Sequence, residues 1–142
     1  MRRLESLDAF KCAKSAARSA YRLTLEQPLR QHYALSDQIR RSAVSIPANI
    51  VEGYVLGTRA QFVRYLRIAL VSAAELSVHL ELVEDMGLAD SSAARGPREL
   101  SDRTVAVITG LLKSLGARPA RTLPAPRSPL PDQSRAGRVD ST

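Results

Sequence analysis

From Phe62 the apolar residues return at steps that alternate four and three without a break: Phe62, Leu66, Ala69, Ala73, Leu76, Leu80, Val83. That spacing marks one seam of a helix packed lengthwise against neighbouring helices, and it excludes the period of two that a strand requires. A flanking set, Val63, Leu70, Ser77 and Glu84, begins apolar and turns polar downstream. Ile68, Val71, Val78 and Leu82 lie off the seam and make this helix more apolar than one face requires. A helix in that state is either central in its bundle or covered by a partner chain.

The stretch just upstream keeps the same kind of spacing with one interruption. Leu35, Ile39, Ala43, Ile46, Ile50 and Tyr54 share a helical face, with Ser36 as a candidate cap and Asp37 in the first turn. Pro47 falls inside this pattern, where a missing donor and a ring clash cost about 3 kcal/mol in a regular helix. Two outcomes fit: a kinked continuous helix, or a break followed by a new helix with Pro47 in its first turn. The apolar phase survives across Pro47, which favours the kink. Gly57 is a natural stop, and Thr58 then caps the long helix.

Before and after these two helices the signal thins. Residues 7–25 form a first helix with Leu7, Phe10, Ala13, Ala17, Ala20, Tyr21 and Thr24 along one side. Gln27 and Pro28 end it, and residues 29–33 connect it to the next. Residues 89–96 read as a loop, and Pro97 suits the first turn of a last helix with Glu99 and Asp102 near its positive end. Leu100, Val107, Ile108, Leu111, Leu112 and Leu115 give that helix its apolar face, and Gly116 stops it. The expected fold is therefore all-α, an antiparallel up-and-down four-helix bundle over residues 1–116. Its helices fall at about 7–25, 35–56, 58–86 and 97–115. Residues 117–142 hold five of the eight prolines and almost no large apolar side chain, the composition of a disordered tail.

The string SIPANIVEG, within QIRRSAVSIPANIVEG and followed closely by FVRYLRIALVSAAEL, resembles the bacterial four-helix-bundle family of 23S rRNA intervening-sequence proteins. That family includes the accessory variability determinant of diversity-generating retroelements. Ala48, Val51 and the early aromatic Phe10 fit its pattern, whereas the Ala- and Ser-rich segment after Leu88 departs from it. The resemblance implies a homopentamer and, in the retroelement branch, a reverse transcriptase and its template RNA as partners. It supplies no enzyme activity.

Charge points the same way. The chain carries a formal net charge of +7, which favours acidic partners, nucleic acid foremost. Lys11, Lys14, Arg18 and Arg22 recur at steps of three, four and four, a stripe along the first helix. It is either a solvated basic face or a phosphate-binding strip. Arg40 and Arg41 on the second helix, and Arg59, Arg64 and Arg67 on the third, complete the candidate nucleic-acid-binding set. One continuous patch within a subunit is not guaranteed. Aromatics are only 4% of the chain, so phosphate contact outweighs base stacking as the expected mode.

Catalytic and metal chemistry find little support. Asn49 and Glu52 lie one turn apart beside Pro47 and read as a hydrogen-bonding node within the bundle. Glu75 is expected to pair with an arginine, Arg40 or Arg41 being candidates. His32 and His79 have no second ligand at metal spacing, and no cofactor is expected. No serine sits in a nucleophile elbow, and no glycine-rich phosphate loop occurs. The single Cys12 precludes an internal disulfide framework, and a reducing cytoplasm is the simplest location. No apolar run reaches membrane-spanning length. Two functions remain: a non-enzymatic basic oligomer that holds RNA or DNA, or an oligomeric protein–protein interaction module whose charge is incidental.

Overall fold

The computed structural model describes Leu4 and residues 7–118. These form four α-helices: α1 (Asp8–Leu23), α2 (Tyr33–Val55), α3 (Arg59–Asp85) and α4 (Ser91–Ser114). A short 3-10 turn, Leu29–Gln31, connects α1 to α2. Sequential helices pack as neighbours and α1 closes on α4, so α1 and α3 are diagonal across an up-and-down bundle. The reading of a disordered tail lies, from residue 119 onward, outside the described residues.

The alternating seam of α3 is its buried side. Leu66, Ala69, Ala73, Leu76, Leu80 and Val83 are all fully buried, facing Ile39, Ala43, Ile46 and Ile50 of α2. Gly57 takes a left-handed φ of 77° to turn the chain between them. Thr58 then caps α3 by accepting the backbone N–H of Gln61 at 3.2 Å.

α2 runs unbroken through Pro47. The residues around the proline close the seam between α2 and α3. The hydroxyls of Ser45 and Ser72 bond across it at 2.8 Å, and Asn49 Nδ2 donates back to the Ser45 carbonyl at 2.8 Å and hydroxyl at 2.9 Å. Gly53 lets the backbones meet: a Cβ there would lie 2.7 Å from Tyr65 Cβ and 3.3 Å from Phe62 Cα. The most distinctive string in the sequence thus works as a packing device.

Three local expectations need correction. Ser36 is no cap: α2 opens at Tyr33, and the buried Ser36 hydroxyl donates to the Leu29 carbonyl at 2.8 Å, tying the 3-10 turn to the helix. α4 opens at Ser91, so residues 91–96 are helical and Pro97 is a buried residue inside the helix. Ala94 is fully buried there, and the Asp90 carbonyl receives the N–H groups of Ala93 and Ala94. The small side chains that hide this turn in the sequence are what let it pack. On α1 the core line is Ala9, Ala13, Ala16, Ala20 and Leu23, while Tyr21 is exposed beside it.

Candidate nucleic-acid interface

The candidate cations separate into three groups because their helices point in different directions. Lys11, Lys14, Arg18 and Arg22 are all exposed on the outer side of α1. The Lys14 ammonium lies 4.8 Å from the centre of the Phe10 ring. Arg18 and Arg22 line a depression of about 410 Å³ between α1 and α4, with Ser15, Ser19, Pro97 and, as its acidic member, Glu26. None of the four cations is ion-paired among the described residues.

Arg40 and Arg41 are adjacent in sequence and differ in kind. Arg40 is half-buried; its Nε donates to Thr24 Oγ1 at 2.8 Å and its Nη2 to the Thr24 carbonyl at 3.4 Å. Its guanidinium also lies 5.1 Å from the centre of the Tyr21 ring. These contacts strap the end of α1 to α2. Arg41 is exposed and pairs with Asp37 one turn earlier at 2.8 Å. Neither reaches Glu75, which is exposed on α3, so the expected pairing does not form among the described residues.

Arg59, Arg64 and Arg67 gather where α3 begins and α4 ends. Arg59 rests against Gly116, whose added Cβ would meet the guanidinium at 3.1 Å. Arg67 Nη2 donates to the Arg118 carbonyl at 3.1 Å. Cations at the carboxyl end of α4 complement the negative end of its dipole, so these two arginines already have structural work. Arg64 is exposed, 5.8 Å from the centre of the Tyr65 ring. The diagonal packing sets this group away from the α1 stripe.

Glu52 and Tyr65 form a contact that residue pattern alone does not reveal. The Tyr65 hydroxyl bonds the Glu52 side chain, and this bond, with burial and the carboxylate charge, raises its pKa above the ordinary value of 10.0 while Arg64 opposes the shift. On α4, Arg98 donates to Glu84 at 2.6 Å, which raises the guanidinium pKa. Among the described residues no group of three His, Cys, Asp or Glu side chains is placed to hold a metal ion. No described helix is long and apolar enough to cross a membrane.

The architecture is thus an all-α four-helix bundle whose polar interior contacts join helices and whose cations lie outside. Residues 5–110 match the 23S rRNA-intervening sequence protein family, and the chain belongs to it. A similar solved structure is a protein of unknown function from the S23 ribosomal protein family of Bacteroides thetaiotaomicron VPI-5482. It shares 26% identity with a TM-score of 0.66, over 74% of this chain and 98% of that one. Comparison with curated proteins finds no match.

Proposed function

We propose that this chain is a non-enzymatic, homo-oligomeric scaffold that binds the backbone of RNA or DNA through the outer side of α1. The observation that carries this reading is the exposed stripe of Lys11, Lys14, Arg18 and Arg22, none ion-paired among the described residues. Its hydroxyl neighbours Ser15 and Ser19 suit phosphate oxygens, and the depression they line holds no aromatic side chain on which a base could stack. Assembly is supported by Ile68, Val71, Val78 and Leu82, which are exposed on α3 and so call for a partner chain. The family resemblance implies five copies and, in the retroelement branch, a reverse transcriptase as the bound enzyme, while the single Cys12 suits a reducing cytoplasm. A neighbouring reverse-transcriptase gene with its template repeat is the genomic mark of that branch.

The test is a salt titration of fluorescent single- and double-stranded RNA and DNA. Binding weakens steeply with salt, and removing one phosphate-binding cation flattens the log–log slope by roughly 0.7 to 0.9. Changing Lys14, Arg18 and Arg22 together to glutamine lowers affinity and slope while the assembly persists. Absence of binding at about 50 mM salt, where such interactions are strong, moves the reading to a protein–protein module.

A further inference from the structure

The outer side of α3 carries the largest mismatch between exposure and chemistry in the bundle. Val78 is 55% exposed and Met86 60%, with Leu82 between them, whereas the opposite side of the helix is fully buried. Three exposed acids, Glu75, Glu81 and Asp85, accompany these apolar residues. The last turn of α3 contains no cation, so its acids sit at the negative end of the helix dipole. Arg98 of α4 offsets this at Glu84, with which it pairs, and at nearby Glu81, but Asp85 has no ion-pair partner among the described residues, and its place opposes the stability of the helix. The apolar and acidic half of α3 is shaped for a surface that is apolar and cationic.

Such a surface exists on the same molecule, at the corner where α1 passes into α2. Leu25, Arg30, Tyr33, Ser36 and Arg40 line a depression of about 420 Å³. Tyr33 is 80% exposed and Leu25 51%. Arg40 is held by the neutral groups of Thr24, so its charge is left uncompensated. Arg41, next to it on α2, is exposed outside this lining and shares its charge with Asp37.

We infer that the C-terminal half of α3 in one copy of this chain seats in the α1–α2 corner of a second copy. This deepens the proposed homo-oligomeric scaffold and rests on that reading. Leu82 and Met86 meet Leu25 and Tyr33, while Glu81 and Asp85 meet Arg30 and Arg41. A nucleic acid is a poor occupant of this part of α3, because its phosphates would face the acids. The two patches belong to different helices, so each copy offers both halves of the contact, which either repeats from copy to copy or is made twice across a two-fold axis. α2 leaves the corner and α3 returns to it, which puts both patches at the same end of the bundle.

Charge exchange tests the contact, read as the mass of the full chain by light scattering at micromolar concentration. One variant joins Glu81→Arg and Asp85→Arg; a second joins Arg30→Glu and Arg41→Glu; a third carries all four changes. Wild type is expected at a multiple of 15.5 kDa. Each two-site variant sets like charges against each other and falls to the single-chain mass with helicity unchanged by circular dichroism. The four-site variant, with both signs reversed, reassembles. A multimeric wild type whose mass survives either two-site change overturns this contact and leaves the scaffold reading standing, as does a four-site variant that stays monomeric beside a multimeric wild type. A monomeric wild type overturns both.

Discussion

The seams on the two sides of the bundle are built from different materials. Between α2 and α3, Ile39, Ile46 and Ile50 face Leu66, Leu76 and Leu80, and Gly53 brings the backbones together. Between α1 and α4, the α1 side is a line of alanines, and a depression opens beside Ser15, Ser19 and Pro97. An alanine removes much less apolar surface from water than an isoleucine, at about 25 cal/mol per Å². The first seam holds the molecule together through apolar burial. The second has small side chains on its α1 face, α1 being tied at its end to α2 by the Arg40 strap to Thr24, and its outer edge is left free to carry charge. Large apolar burial and exposed positive charge are thereby assigned to different helices of a small domain.

Breaking the tight seam has the largest expected effect. Ile46 is fully buried, so Ile46→Ala should cost about 2–5 kcal/mol through reduced burial and the cavity left behind. Chemical denaturation followed by circular dichroism measures this. A cost under about 1 kcal/mol, below that range, would show that the seam collapses around the gap and is no tighter than its counterpart.

Gly53→Ala probes the same seam in the opposite sense. The new methyl would lie 2.7 Å from Tyr65 Cβ, an atom fixed to the α3 backbone, so the helices themselves must move apart. Overpacking of this kind typically costs about 1–3 kcal/mol. Glycine is otherwise a poor helix former, by about 1 kcal/mol relative to alanine. A stabilised variant would therefore mean that propensity outweighs close approach and that the helices have room to separate. The same substitution at Gly110, where nothing beyond the chain neighbours and the backbone of its own helix lies within 4 Å of the added carbon, is the natural comparison.

The two seams also differ in how far they could be read from sequence. Large aliphatic side chains mark every turn of α2 and α3, and the spacing from Phe62 to Val83 translates directly into the buried line. Alanine and serine carry little hydrophobic signal. The core line of α1 was therefore blurred with its edge at Phe10, Ala17 and Tyr21, and the opening of α4 before Pro97 read as a loop. Charge was legible as composition and as a stripe on α1, but its distribution was not. Nothing in the spacing of Arg40 and Arg41 shows that one straps α1 and the other faces solvent, since helix rotation and partners on other elements decide that. Glu75 shows the same limit, because a charge in an apolar helix is buried or exposed according to which side of the helix has a neighbour.

The smallest expected effect sharpens the comparison at the edge of the tight seam, where Tyr65 bonds Glu52. The bond holds the phenol proton more firmly in the folded chain than in the unfolded one, so the folded pKa lies above 10.0. Its contribution to stability is fully present below the unfolded value and disappears as pH rises through the folded one. Tyr65→Phe removes that contribution and should leave a variant slightly less stable than wild type at neutral pH. On raising the pH above the ordinary tyrosine value of 10.0 the difference shrinks, and the two stability curves converge once the phenolate forms in the folded chain. Denaturation midpoints at several pH values test the convergence, and the difference in tyrosinate absorbance between the two proteins gives the titration of this one residue. A difference in stability that stays constant through the alkaline range would show that the hydrogen bond to Glu52 carries no part of it.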